Sequence, residues 1–273
     1  TLTSGLTFGI LLGSLVSSWV NTSWTHDEVL AWAWRLPFIL GGLFGLLAVW
    51  LRRYLEETPV FEELRRRREL VKGLPLKIVL QGHWGAVMRS MLITWMLTAG
   101  IVVVILMTPT LVQSLFAVAP AEAANASSLA TFALCVGCVL YGLAVDRFGV
   151  ERVLVVGAVG LAIATAGLYR TLAVAPEHFT AAYALTGLFV GVTGAIPSLM
   201  VRAFPAAIRF SGISFAYNIA YAISGGLTPL VVSLWIRGGE PNAPVFYVAL
   251  ACLGGAVAAI WSARARARVA VAS

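Results

Sequence analysis

Eight long apolar runs, at residues 3–21, 34–51, 89–116, 126–145, 152–171, 180–201, 211–236 and 243–262, constrain this chain more than any other feature. About 20 apolar residues in a helix cross the roughly 30 Å hydrocarbon core of a bilayer, and each run meets that ruler. None shows sustained alternation of period two, which argues against strands. Gly and Pro interrupt several runs, a feature lipid-embedded helices tolerate when neighbouring helices satisfy the freed backbone groups. Only 11% of the 273 residues are charged and 60% are hydrophobic, against about a quarter charged in a soluble domain. The expected fold class is therefore all-α, a polytopic membrane protein with eight transmembrane helices.

Basic residues set the orientation. If the first run leads outward from the cytoplasm, the inner segments hold 16 of the 19 basic residues, leaving Arg35, Arg170 and Arg237 outside. Both termini of the chain are then cytoplasmic, at a cytoplasmic (inner) cell membrane. The net charge of +7 becomes a topology signal, with no call for nucleic acid as a partner. Residues 52–88 form the longest segment outside the bilayer. Within it, Thr58 as N-cap, Pro59 at the first helical position, Glu62 and Glu63 near the start and Arg65–Arg68 thereafter predict a surface helix near anionic headgroups, stopped by Gly73 and Pro75. The chain opens at Thr1 on the edge of an apolar run, without Met or a basic leader, so a preceding portion is expected. Cys135 and Cys138 are spaced C-x-x-C inside an apolar run without a second ligand pair and read as packing residues; no metal or cofactor is expected.

Two segments carry a family likeness. One runs Trp34-Arg35-Leu36-Pro37-Phe38-Ile39-Leu40-Gly41-Gly42 into Leu51-Arg52-Arg53-Tyr54-Leu55-Glu56-Glu57-Thr58-Pro59. The other is Phe204-Pro205-Ala206-Ala207-Ile208-Arg209-Phe210-Ser211-Gly212, continuing through Tyr217-Asn218 and Gly225-Gly226-Leu227-Thr228-Pro229. Together they resemble the metabolite:proton symporters of the major facilitator superfamily, which include proline/betaine, citrate, α-ketoglutarate and shikimate permeases. Gly142-x-x-x-Asp146-Arg147-x-Gly149 is similar to the superfamily's short cytoplasmic loop motif. It departs from it in placing Val150-Glu151 before Arg152 where two basic residues usually stand. The likeness implies that the eight helices correspond to spans 5 to 12 of twelve. Residues 1–51 would then be the last two helices of an N-terminal bundle, 52–88 the central cytoplasmic loop, and 89–273 the C-terminal six-helix bundle. The missing N-terminal helices of the same protein would be its partners, along with lipid, a small solute and protons. A membrane-embedded enzyme is not expected, since the sequence offers no reactive constellation near one membrane face, nor is a sensor built on a transporter scaffold, which would append a soluble output domain.

All twelve acids and all three histidines lie in loops or at run ends. Intramembrane ionisable groups are the usual proton relays, so a coupling group is expected in the missing spans. The polar residues inside the runs are neutral. Ser214, Tyr217, Tyr221, Ser224 and Thr228 share one helical face with Asn218 beside them; Tyr183, Thr186 and Thr193 share another; Thr94, Trp95 and Thr98 a third. Such faces either hydrogen-bond between helices or wall a solute cavity. As candidate solute-binding residues they give Thr94, Trp95, Thr98, Thr193, Tyr217, Asn218, Tyr221 and Ser224. Pro109, Pro197 and Pro229 are expected to kink their helices. Gly5, Gly9 and Gly13 form a small stripe, and Ser127, Thr131, Cys135, Cys138 and Gly142 another. The resemblance implies that these two faces meet and slide during alternating access. It also gives Gly142, Asp146, Arg147 and Gly149 a gating role, with Asp146 at the positive N-terminus of the first helix near Thr3. Arg35 reads as an interfacial snorkelling residue. The function these features predict is proton-coupled symport of a small organic acid or zwitterion by a secondary transporter. The alternatives are a facilitator or exporter of the same fold, or a transport-incompetent fragment.

Overall fold

The structure is a computed structural model that describes residues 2–54 and 74–272. The expected surface helix from Thr58 lies outside the described residues. Helix α1 covers Leu2–Ser23, α2 Val29–Arg52, α3 Pro75–Gly82, α4 Trp84–Phe116, α5 Pro120–Phe148, α6 Val150–Val174, α7 Pro176–Ala203, α8 Ala206–Arg237 and α9 Ala243–Ala272. Seven of them, α2 and α4–α9, are long and apolar enough to cross a bilayer; α1 occupies the place of the first expected span but is not among these seven. The spanning helices overrun the apolar runs. α5 extends over Pro120–Phe148 and α4 begins at Trp84, earlier than the expected 126–145 and 89. Hydropathy registers only the hydrocarbon thickness, whereas a helix of 25 residues, such as α6, is roughly 37 Å long and continues into the headgroups.

The chain divides into two compact units, one of residues 8–70 and one of residues 71–273 with the first seven residues. In the smaller unit, no residue of Arg35–Arg52 is buried within the protein, and the segment is apolar around its whole circumference, as a lipid-facing helix is. Aromatic residues mark both ends of α2. Trp24 meets Trp19 and Trp32 edge to face at 5.1 and 5.6 Å, and Trp50 meets Tyr54 at 5.1 Å, an interfacial arrangement. Thr25 and Glu28 form a capping box before α2: the Glu28 carboxylate accepts from the Thr25 N–H at 2.9 Å and from its hydroxyl at 2.8 Å. Those two bonds, the backbone one foremost, hold the Glu28 carboxyl below its usual pKa. The box is therefore intact at neutral pH and fades as pH falls through that lowered value. Arg35 donates to the Ala31 carbonyl at 2.8 Å and lies 4.6 Å over the Trp34 ring.

The larger unit is a bundle of α4–α9. α5 packs along α7, α7 against α6, α6 against α9, and α4 lies between α9 and α8. Its core is built from Ile93, Met96, Val103, Leu134, Leu154, Leu161, Phe179, Ile196 and Val248, among others. The outer faces carry exposed Phe132, Leu143, Val156, Ile163, Leu185 and Leu253, which suits lipid as solvent.

Small residues bring α5 and α7 into backbone contact. A Cβ added at Gly187 would fall on the Ala130 carbonyl, one at Gly191 on the Gly137 backbone, and one at Gly137 on the Leu188 carbonyl. Without a hydrophobic force between helices in lipid, close approach of this kind is the main source of packing energy. Cys138 continues the seam, its Sγ 3.3 Å from where a Gly194 Cβ would stand. Part of the small face expected to meet the Gly5 stripe, namely Thr131 and Cys138, is thus buried in this bundle. Positions Gly5, Gly9 and Gly13 have open space around a notional Cβ.

Each of the three prolines expected to kink its helix follows a departure from α-helical winding. Wide π-type turns occupy Ala99–Met107 before Pro109 and Tyr221–Gly225 before Pro229, and a tight 3-10 turn occupies Gly191–Ala195 before Pro197. A proline ring clashes with the carbonyl four residues earlier; here that carbonyl belongs to Ile105, Gly225 or Thr193, always inside the irregular turn. Freed carbonyls need new donors in a dry core. Fully buried Tyr183 supplies one, its hydroxyl donating to the Val104 carbonyl at 2.7 Å with the Ile105 carbonyl at 3.4 Å, and the Thr108 hydroxyl donates to the Val103 carbonyl at 2.9 Å.

Candidate functional site

A polar chain crosses the larger unit where α4, α8 and α9 meet. The Trp95 indole Nε1–H donates to the Tyr247 hydroxyl at 3.1 Å, and that hydroxyl lies 2.6 Å from the Thr228 hydroxyl. The Thr228 hydroxyl donates to the Ser224 carbonyl. Its one hydrogen is thereby spent, so Tyr247 must be the donor to Thr228. The chain has a fixed direction: indole to phenol to threonine to backbone. Beside it, the Thr98 and Ser224 hydroxyls are 2.8 Å apart, while Thr98 also reaches the Trp95 carbonyl at 2.8 Å and Ser224 the Ala220 carbonyl at 2.6 Å. Two hydroxyl hydrogens serve three contacts, so this pair always has one acceptor to spare.

The chain opens on a pocket of about 340 Å³ whose lining includes Trp95, Ser224, Tyr247, Met88, Met91 and Leu227 and no charged residue. Trp95 and Tyr247 meet edge to face at 6.1 Å and 82°. Gly254 lets the indole lie close against α9: a Cβ there would stand 3.3 Å from the ring.

Of the candidate residues, Trp95 and Ser224 line this pocket and Thr98 sits directly behind them, fully buried. Thr94 is buried and donates back to the Ser90 carbonyl at 2.8 Å. Thr193 is buried among α4 and α7 residues, with its hydroxyl making no hydrogen bond. Tyr217 and Tyr221 form a tilted pair with centroids 5.5 Å apart on α8 and are not among the residues lining this pocket. Tyr221 lies within 3.3 Å of a notional Gly225 Cβ. Asn218 is exposed and donates to the Ser214 carbonyl at 2.7 Å. Tyr247, which joins Trp95 to Thr228, escaped sequence reasoning. A tyrosine near the end of an apolar run reads as an interfacial anchor; the signal was its i, i+4, i+7 alignment with Ala251 and Gly254, one hydroxyl over two small residues.

At the loop between α5 and α6, Gly149 has φ +83°, a left-handed conformation that a Cβ disfavours. Its N–H closes α5 on the Val145 carbonyl at 3.0 Å. Asp146 and Gly142 line a cavity of about 530 Å³ with Cys138, Gly194 and Ser198. Arg147 turns away, 5.5 Å over the Phe148 ring.

Comparison with known proteins agrees with this architecture. The family model described as the Major Facilitator Superfamily matches residues 1–229. The glycine betaine/proline/ectoine/pipecolic acid transporter OusA of Dickeya dadantii (strain 3937) is 29% identical over 256 residues, covering 88% of this chain and 50% of the relative. The citrate-proton symporter of Salmonella typhi is 25% identical over 254 residues, covering 91% and 58% respectively. That of Klebsiella pneumoniae is 27% identical over 254 residues, covering 91% and 56%. The chain spans about half the length of the curated relatives it matches. A family match over most of the sequence, joined to a multi-pass bundle of long apolar helices, places it: the chain belongs to the Major Facilitator Superfamily, a family of membrane transporters rather than enzymes, and its relatives include proton-coupled solute symporters.

Proposed function

We propose that this chain supplies one wall of a secondary transporter that takes up a small zwitterionic metabolite with protons by alternating access. The observation that carries the reading is the uncharged, aromatic pocket of Trp95, Ser224 and Tyr247 backed by a satisfied hydroxyl chain. A polycarboxylate such as citrate needs fixed cations, and none lines this pocket. An alkylated ammonium suits an indole face and methionine sulfurs, since cation–π attraction reaches about 2 kcal/mol when desolvated, and the hydroxyls can meet the other end of a zwitterion. Tyr217, Tyr221 and Asn218 extend the wall, with Thr94, Thr98 and Thr193 supporting it from behind.

In this reading residues 1–51 belong to one helical bundle, 52–88 to a cytoplasmic loop and 89–273 to the other bundle, with both termini of the chain cytoplasmic. Gly142, Asp146, Arg147 and Gly149 act at the inner gate, and the Gly5, Gly9 and Gly13 stripe is a sliding face. The acids of α5, α6 and α7 sit in first or last turns, which supports assigning solute binding rather than proton relay to this part. The test is uptake of labelled glycine betaine, proline and citrate by cells expressing the full-length transporter, with and without a protonophore. Betaine or proline uptake that collapses with the proton gradient is expected. Citrate uptake without the other two would overturn the zwitterion assignment, and uptake indifferent to the protonophore would overturn the coupling.

A further inference from the structure

Three arginines from different elements converge on a second cavity of the larger unit. Arg89 comes from the start of α4, Arg202 from the end of α7 and Arg266 from the end of α9. With Glu151 in the first turn of α6, Ser262 and Phe204, they line a space of about 630 Å³, within the size range of small-molecule sites. Glu151, buried but for an edge, pairs with Arg266. Among the described residues, that single carboxylate leaves two guanidiniums without a counter-charge. Arg89 is half-buried, stacked 5.2 Å over the Trp261 ring, and its Nε is buried with no hydrogen-bond partner. Arg202 has no ion pair among the described residues.

Like charges facing one cavity repel, weakly where the side chains are exposed, and the buried Arg89 Nε without an acceptor carries a desolvation penalty. Both costs are relieved by one anion. Guanidinium forks match phosphate oxygens in particular. The rest of the lining is apolar, with Leu199, Phe204 and Ala265 beside the charged groups. The neighbouring 204–208 turn is held in place by Arg209, whose Nε donates to the Phe204 carbonyl at 3.4 Å, so the wall is preformed.

We infer that the cavity between the ends of α4, α7 and α9 and the start of α6 is a phosphate-anion site, filled by an anionic phospholipid headgroup or by free phosphate. Its arginines come from three helix ends to one space, Arg89 half-buried at its base and Arg202 and Arg266 exposed at its edge. The inference does not depend on which solute is transported.

The purified full-length protein in neutral detergent is titrated with phosphatidylglycerol and with phosphatidylcholine, adducts being counted by native mass spectrometry. Inorganic phosphate is titrated separately, with the melting temperature as readout. Preferential retention of phosphatidylglycerol, or stabilisation by phosphate alone, is expected, the first arm identifying a lipid and the second a soluble anion. Arg89→Gln with Arg202→Gln should weaken the effect roughly 25-fold, about fivefold for each basic residue removed, whereas Glu151→Gln should strengthen it. Arg237→Gln, at the far end of α8, should leave it unchanged. Arg202→Gln alone, altering an exposed side chain, provides a variant that folds whatever the double substitution does; it should lose about fivefold. Anion effects equal in wild type and Arg202→Gln, or no anion effect in either arm, would overturn the site.

Discussion

Gly191→Ala is expected to lower the melting temperature of the protein sharply and to cut its yield as a monodisperse species, although only a methyl group is added. The new Cβ would lie against the Gly137 backbone and the Cys138 nitrogen. Backbone atoms of a helix cannot rotate aside as a side chain can, so α5 and α7 must separate. That separation also breaks the reciprocal contacts of Gly187 with the Ala130 carbonyl and of Gly137 with the Leu188 carbonyl. Overpacking a core usually costs about 1–3 kcal/mol, and rigid neighbours put this site at or above the upper end. Against a total stability of about 5–15 kcal/mol, such a loss is large. Gly187→Ala should behave alike. Gly167→Ala on α6 is the control, because a Cβ there meets nothing within 4 Å; it should be neutral or stabilising by up to about 1 kcal/mol through backbone entropy. Fluorescence-detected chromatography after a heating series measures all three. If Gly191→Ala and Gly167→Ala melt together, α5 and α7 do not pack through their glycines.

Transport should respond most strongly to Trp95. Trp95→Ala removes the aromatic wall of the pocket together with the donor to Tyr247. A desolvated cation–π contact of about 2 kcal/mol corresponds to a rise of about 30-fold in KM for an alkylated ammonium solute. Trp95→Phe keeps a ring but deletes the N–H, and should give a smaller rise. Tyr247→Phe leaves the Trp95 N–H without its acceptor and the Thr228 hydroxyl without its donor, a loss of about 1–3 kcal/mol that falls on stability and pocket shape. Trp95→Phe and Tyr247→Phe break the same bond, so the double variant should be little worse than the worse single one. Uptake kinetics and melting curves on the four proteins separate the two effects. Simple additivity would show that the bond at 3.1 Å does not couple the residues, and an unchanged KM in Trp95→Ala would remove the pocket from the solute path.

Much of this was legible in advance for local reasons. Helix identity in a bilayer follows from apolar length, because no other open structure satisfies its own backbone in lipid; hence runs such as 152–171 and 243–262 name α6 and α9 without knowledge of their neighbours. Kinks were expected at the prolines at 109, 197 and 229 because a ring clash with a carbonyl four residues away is set by covalent geometry; the structure places an irregular turn before each. The family likeness also rests on contiguous residues, from Trp34 to Pro59 and from Phe204 to Pro229.

The candidate site was only half legible. Polar periodicity on one helix identifies a face, and it singled out Trp95, Thr98 and Ser224 as candidates, yet it does not say what that face meets. Tyr217 and Ser224 looked equivalent on α8; packing gave Ser224 to the pocket and set Tyr217 beside Tyr221. Thr193 shared a polar stripe with Tyr183, but the stripe turns inward, where Tyr183 serves carbonyls near Pro109. Arg89, Arg202 and Arg266 counted only as topology signals until three helix ends brought them to one cavity.

The sequence by itself thus determined that the chain spans a bilayer many times as helices and which family it belongs to, because both depend on groups close along the chain. Only the tertiary structure decided that Tyr247 on α9 takes the Trp95 proton donor from α4, and that glycines on α5 and α7 touch backbone to backbone. Both contacts join positions far apart in sequence, and in lipid they are chosen by shape and hydrogen-bond complementarity between helices rather than by hydrophobicity, the one property every helix here shares.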